Sequence, residues 1–172
     1  MRVLITGISS YIGKFIAQEF IKKKYDVIGI SRSNPKIISN NFSWCRYDIS
    51  KSSDLFFKKK IDFVVHVAGN ALRDENTNLD YVNGNIIIPY NLEKIMRKIK
   101  PRCVFYLSTR EVYGEINSKV LSEKNDILNP IFYGQSKYLA EKIFEQNYNT
   151  ISLRLSSVLG IGTHGWISHV YK

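Results

Sequence analysis

Two cysteines, four prolines and no long apolar run leave the 172-residue chain little material for a disulfide framework, a collagen-like rod or a membrane span. Cys45 and Cys103 lie in strand-like runs without metal or redox spacing, which favours free thiols in a cytoplasmic protein over a disulfide. No stretch reaches the roughly 18 apolar residues of a spanning helix, so no membrane partner is expected. The start, Met1-Arg2-Val3-Leu4-Ile5-Thr6-Gly7, is too short and polar for the core of a signal peptide. Acidic residues are scarce: 15 Asp and Glu against 25 Lys and Arg leave a formal charge of +10, which raises the question of nucleic acid. The cations gather in Lys22-Lys23-Lys24, Lys58-Lys59-Lys60 and the Arg97, Lys98, Lys100 cluster. Each cluster falls where a helix is predicted to end, and a cation there complements the helix dipole. No stacking aromatics are interleaved with them, so solvated helix ends are the better account and no nucleic-acid partner is expected.

What the chain does contain is enough apolar sequence, 44% of residues, to bury a core in one soluble domain over residues 1–172. Short β-branched or aromatic runs predict strands at Val3–Thr6, Asp26–Ile30, Phe42–Tyr47, Phe63–Ala68, Cys103–Ser108 and Ile151–Leu155. Between them, helices are predicted at Tyr11–Lys23, Ser53–Lys59, Tyr81–Lys98 and Phe132–Asn147. In the last, Leu139, Ala140, Ile143 and Phe144 repeat at helical spacing. Near-continuous apolar strands such as Phe63-Val64-Val65-His66-Val67-Ala68 suit a sheet covered on both faces. The alternation implies an α/β fold: a doubly wound parallel sheet with right-handed crossovers and helices on both faces.

Strand one runs into Thr6-Gly7-Ile8-Ser9-Ser10-Tyr11-Ile12-Gly13 and then a helical pattern. A helix N-terminus offers unpaired N–H groups and partial positive charge, which suit a pyrophosphate. Gly7 allows a tight turn and Gly13 close packing, as in a Rossmann-type dinucleotide loop, while Ser10 replaces the middle glycine. Ser10 is small and can donate to phosphate, though its Cβ restricts the backbone. Strand two ends in Gly29-Ile30-Ser31-Arg32-Ser33 without the carboxylate that accepts adenosine ribose hydroxyls in NAD sites. Arg32 can pair with a 2′-phosphate, which favours NADP over NAD; otherwise it lies over adenine or points to solvent. Asp48 accepts from the adenine amino group or serves a turn.

The helix near Phe132 carries Tyr133-Gly134-Gln135-Ser136-Lys137, so Tyr133 and Lys137 share one face. A phenol ionises near pH ~10 and needs a neighbouring cation to act at neutral pH, which Lys137 supplies. Such a pair is usually a surface pair; the hydroxyls of Ser108 and Thr109 at a preceding strand end make it informative. The carboxyl edge of a parallel sheet is where ligands bind.

Here the chain resembles the extended short-chain dehydrogenases/reductases, the nucleotide-sugar epimerase/dehydratase superfamily. TGISSYIG is similar to that family's TGxxGxxG loop, HVAGNA to its HxAA segment, and NIIIPYNLEKI to its NVxGTxNLLEA helix, with Asn85 and Asn91 in register. LSTREVYG resembles SSxxVYG, PIFYGQSK resembles PxxxYxxSK, and RLSSVLGIG resembles RxxNVYGPG, all in the family's order. The resemblance implies that Tyr133 is the acid/base at a substrate hydroxyl while nicotinamide exchanges hydride. It implies that Lys137 lowers the Tyr133 pKa and binds ribose, that Thr109 hydrogen-bonds the reacting oxygen, and that Ser108 shapes the strand end. Implied cofactor contacts come from Gly7, Ser9, Ser10, Tyr11, Ile12 and Gly13 in the loop. Ser31, Arg32, Asp48, Ile49, Val67, Ala68, Gly69, Asn85, Ser108, Tyr133 and Lys137 are expected to complete them.

Glu111 follows Arg110 where water-eliminating or decarboxylating members often carry Asp-Glu or Ser-Glu. It is a candidate general base; equally, it makes a surface ion pair with Arg110. The missing Asp disfavours a 4,6-dehydratase. Ser157, Leu159 and Ile161 depart from the family's Asn, Tyr and Pro, which bears on the nucleotide part of the substrate more than on the cofactor. His66 reads as a core histidine, and with His164 and His169 it shows no metal spacing; no metal is expected. Members continue past the RxxNVYGPG strand into a smaller substrate-closing domain, whereas this sequence stops in what reads as a starting helix at Trp166–Lys172. Most of the substrate domain is therefore expected to be missing, from a fragment or from a naturally short chain. Family members often dimerise through the two long helices, which implies a homodimer. The expected function is an NAD(P)-dependent epimerase, reductase or dehydratase/decarboxylase acting on a nucleotide-linked sugar. A dinucleotide-binding regulator or scaffold without turnover is the alternative.

Overall fold

The structure is a computed structural model in which residues 1–117 and 120–158 are described. Six parallel strands form one sheet: β1 (Arg2–Thr6), β2 (Asp26–Ser31), β3 (Phe42–Arg46), β4 (Phe63–His66), β5 (Cys103–Thr109) and β6 (Thr150–Leu155). Their spatial order is β3-β2-β1-β4-β5-β6, the order of a doubly wound Rossmann-type sheet. The direction of winding reverses between β1 and β4, where Thr6 pairs with His66. A crevice opens at such a switch point, outside the carboxyl ends of the strands.

Alternation along the strands builds a core on each face. On β1, Leu4 joins Val64, Val104, Leu92, Met96 and Phe144 on one side, while Val3 and Ile5 join Val27, Val65 and Ala17 on the other. The first face is covered by α3 (Ile88–Ile99) and α4 (Phe132–Glu145), the second by α1 (Tyr11–Lys22). Helix ends carry the expected cations: Lys22 closes α1, and Arg97 and Lys98 close α3. Cys103 is buried and Cys45 half-buried, both as free thiols.

Two segments depart from the sequence-based expectation. No helix forms over 53–59; Leu55 and Phe57 turn toward the core while Phe56 between them is exposed, an extended alternation. Ser52 Oγ and Tyr47 Oη both accept from the Asp54 N–H, at 3.1 and 3.0 Å, and take the donor early in the segment. So short a segment gains too few helical bonds to offset nucleation. Lys58, Lys59 and Lys60 therefore belong to a loop and cap no helix. The single helix expected over 81–98 is instead α2 (Asn78–Val82), a π turn at Asn83–Ile87 and then α3. Pro89 has no N–H for the Asn85 carbonyl and its ring crowds that group, so the ladder widens there.

His66 is fully buried, as a core histidine should be. Its Nδ1 lies 2.6 Å from Thr6 Oγ1 and its ring stacks on Tyr106. Burial first, and the charge of Lys137 second, drive its pKa from 6.5 to about 3. Between those values the unfolded chain binds a proton that the fold refuses, so stability is lost as pH falls through 6.5 toward 3. The contribution approaches ~1.4 kcal/mol per pH unit. Urea unfolding from neutral to acid pH should show a shallower loss in His66→Gln than in the parent; equal slopes would reject the assignment.

Candidate active site

β1 delivers the chain into a turn at Gly7, whose φ of +68° lies in the left-handed region. A Cβ there would also press on the Ala68 backbone nitrogen at 2.6 Å, so loop and β4 exit are in close contact. Ser10 is the N-cap of α1, its Oγ accepting from the Gly13 N–H at 3.0 Å. Gly13 packs so tightly on the Gly7 carbonyl that a side chain has no room. The middle-glycine substitution is thus absorbed by capping.

Two adjoining cavities run along the carboxyl edge of the sheet and share Ser10, Val67, Gly69 and Asn70 in their walls. The first, about 740 Å³, takes in Gly7, Ser9, Ser31, Arg32, Asp48, Ile49 and Ala68. Arg32 is exposed there, and its charge helps hold Asp48 below the usual carboxylate range. The larger cause of that shift is Ser50, whose hydroxyl and N–H both donate to Asp48 Oδ1. The turn role anticipated for Asp48 is realised. The Ser31 hydroxyl is committed too, donating to the Ser33 carbonyl and accepting from Trp44 Nε1.

The second cavity, about 570 Å³, is lined by Tyr11, Ile12, Ser108, Thr109, Tyr133 and Lys137 among others. Tyr11 and Ile12 carry N–H groups of the first helical turn, which helix geometry leaves without internal partners. Burial, with the charge of Glu111 adding to it, raises the Tyr133 phenol above its ordinary pKa, and the polar groups of Thr109 and the Leu72 backbone counter it. Lys137 is expected to be the counter-cation of that phenol, but its Nζ donates to the Leu107 carbonyl at 2.7 Å and lies over the Tyr106 ring. A buried ammonium must be hydrogen-bonded, and the β5 carbonyl is its acceptor. Burial also lowers its own pKa to about 7.

Three expected site residues fall outside both linings. Asn85 is 1% exposed, and its amide is spent accepting from Asn70 N–H at 2.8 Å and donating to the Asn70 carbonyl and Ser136 Oγ. It clamps the loop after β4, and its side chain lines neither cavity. Gly13 is buried under the loop. Glu111 sits in the 3₁₀ turn Arg110–Tyr113 after β5 and pairs with Arg110 Nε at 3.1 Å, as in the ion-pair alternative. Conversely, Asn70, Ala71, Arg73 and Asn76 line the second cavity from the loop after β4, and Lys51 lines the first. Nothing in their spacing marks them. Ser157 lies beyond β6, and Leu159, Ile161, His164, His169 and the helix expected at 166–172 lie outside the described residues. Among the described residues no metal-ligand cluster occurs and no helix is long and apolar enough to cross a membrane.

The chain is similar to a putative UDP-glucose 4-epimerase of Methanocaldococcus jannaschii, 32% identical over 173 residues, covering 92% of this chain and 56% of that protein. Protein CapI of Staphylococcus aureus is 28% identical over 184 residues, covering 93% and 55%. The solved UDP-glucuronic acid 4-epimerase from Bacillus cereus, in complex with NAD, is 26% identical at a TM-score of 0.80, covering 93% of this chain and 57% of that one. WbmH of Bordetella bronchiseptica shares the fold at a TM-score of 0.86 and 21% identity, over 99% and 61% of the two chains. This chain spans little more than half the length of these relatives. The sequence model of the NAD dependent epimerase/dehydratase family matches residues 3–172. By that match, and by a Rossmann-type sheet whose glycine loop meets Tyr133 and Lys137 at one edge, the chain belongs to the NAD dependent epimerase/dehydratase family.

Proposed function

We propose that the chain binds a nicotinamide dinucleotide across the two adjoining cavities and supports hydride exchange on a nucleotide-linked sugar. The observation that carries this reading is that Thr109, Tyr133 and Lys137 line the same cavity as Ser10, Tyr11 and Ile12. The dinucleotide, when bound, supplies the hydride acceptor or donor. Gly7, Ser9 and the first turn of α1 hold its pyrophosphate. Ser31, Arg32, Asp48 and Ile49 border the adenosine end, and Val67, Ala68 and Gly69 border the middle. Tyr133 takes or returns the proton of the reacting sugar hydroxyl, and Thr109 hydrogen-bonds the same oxygen. Lys137 offers a positive charge at the cavity floor, and Ser108 fixes the end of β5 beside it. Glu111 is tied to Arg110 and stands off the cavity, which favours an epimerase or reductase over water elimination.

The adenosine end of either NAD or NADP would lie in the first cavity, where the exposed Arg32 favours a 2′-phosphate. Calorimetric titration with both dinucleotides tests the reading. NADP is expected to bind more tightly, and Arg32→Ala should weaken NADP about tenfold while leaving NAD within about twofold. Equal affinities in the parent would remove the Arg32 argument; binding of neither would overturn the proposal. Dinucleotide binding without hydride exchange would leave the regulator or scaffold as the standing role. Phe132 and Leu139 on α4 and Tyr90 on α3 remain exposed, which supports a homodimer through these helices.

A further inference from the structure

Helix α4 carries a buried carboxylate to which the proposed chemistry gives no task. Glu141 is fully buried and lies one helical turn beyond Lys137 on the same face. Its Oε1 accepts from Ser108 Oγ at 2.5 Å. Arg154, on β6, clamps it from the other side, donating through Nε to Oε1 at 3.0 Å and through Nη2 to Oε2 at 2.7 Å. The Arg154 guanidinium in turn lies over the Tyr113 ring at 4.7 Å. Consecutive residues of β5 thus engage the two α4 side chains: Leu107 accepts from Lys137, and Ser108 donates to Glu141.

A buried ammonium held only by a carbonyl and a ring face tends to surrender its proton, because neither partner carries a full negative charge. The groups packed about Lys137 supply little else. From β4 comes His66, kept neutral by burial and by the charge of the lysine. From β5 comes Tyr106, whose phenol burial keeps protonated. Tyr133, likewise raised by burial, shares α4, and from β6 comes Arg154, whose guanidinium is bound to Glu141. Against burial, Glu141 is the group that favours the charged lysine.

We propose that Glu141, fixed by Ser108 and Arg154, is the buried counter-anion that favours the protonated form of Lys137 at the floor of the catalytic cavity. It is a positioning residue acting through Lys137. The use of that charge rests on the cofactor reading above, but the charge state itself does not.

The test reads Lys137 directly. The full chain, folded and without dinucleotide, is pulse-labelled with acetic anhydride over a pH series, and acetylation of Lys137 is followed by mass spectrometry. Only the neutral amine reacts, so the profile reports its titration. Glu141→Gln should move the midpoint down by about one pH unit and speed labelling at pH ~6 about fivefold. Glu141→Asp, which keeps the charge, should restore much of the parent profile. An unmoved midpoint in Glu141→Gln, or the same shift in Glu141→Asp, overturns the proposal. If Glu141→Gln does not fold because Arg154 is left unpaired, the double variant Glu141→Gln/Arg154→Met decides: no downward shift overturns the proposal. Calorimetry with dinucleotide on the parent separates this outcome from failure of the cofactor reading.

Discussion

Tyr133→Phe is expected to cut hydride exchange with a nucleotide-linked sugar by about 10²–10⁴-fold while changing dinucleotide affinity by less than about twofold. The substitution removes one oxygen and little else. The ring of Tyr133 packs on Tyr81 at a centroid distance of 5.3 Å, a contact phenylalanine keeps. What disappears is the proton site beside Thr109. The pocket that raises the phenol's pKa also makes it reluctant to ionise, so the catalytic task demands charge from Lys137 or from the bound dinucleotide. Nicotinamide absorbance with substrate, and calorimetry without it, give the two readings. Turnover at the parent rate would assign the proton to another group; a collapse of dinucleotide affinity would make Tyr133 a binding residue.

Gly13→Ala is expected to destabilise the chain by about 1–3 kcal/mol and to weaken dinucleotide binding at least about tenfold. Helix propensity predicts the opposite sign, since alanine inside a helix is about 1 kcal/mol better than glycine. The added Cβ would drive into the Gly7 carbonyl oxygen and also meet the Gly7 carbonyl carbon and Ser10 Oγ at 3.0 Å each. Two of those three atoms are backbone and cannot rotate away. Either α1 lifts from the loop or the loop leaves its turn, and both spoil the phosphate end of the cavity. A variant that melts higher than the parent, with unchanged affinity, would mean that α1 does not press on Gly7.

Much of the fold is legible from local pattern. All six strands arise where β-branched and aromatic runs place them, with ends shifted by one or two residues: β4 stops at His66, leaving Val67 and Ala68 to line the cavities. The failures have local causes that periodicity does not carry. The 53–59 segment reads as a helix candidate, but Tyr47 and Ser52 divert the Asp54 N–H, and seven residues cannot offset nucleation. Pro89 opens a π turn within an otherwise periodic run. That Tyr133, Lys137, Thr109 and the Gly7–Ile12 loop come to adjoining cavities is readable, because each is marked by residue type and spacing. The clamping bonds of Asn85 are not readable, because an amide suits a ligand and a backbone clamp equally well and its partners lie 15 and 51 residues away, at Asn70 and Ser136.

By itself, then, the sequence determined the parallel α/β layering, the glycine turn into α1 and the sharing of one helix face by Tyr133 and Lys137. These depend on backbone conformation and on spacings of a few residues. Only the tertiary structure decided which hydroxyls and amides stay free, which are spent on caps and clamps, and where the Lys137 ammonium points. It alone brought Glu141, Ser108 and Arg154 together, since their pairing crosses β5, α4 and β6. Burial and long-range hydrogen bonding are set by which elements meet, and that no local pattern of residues can specify.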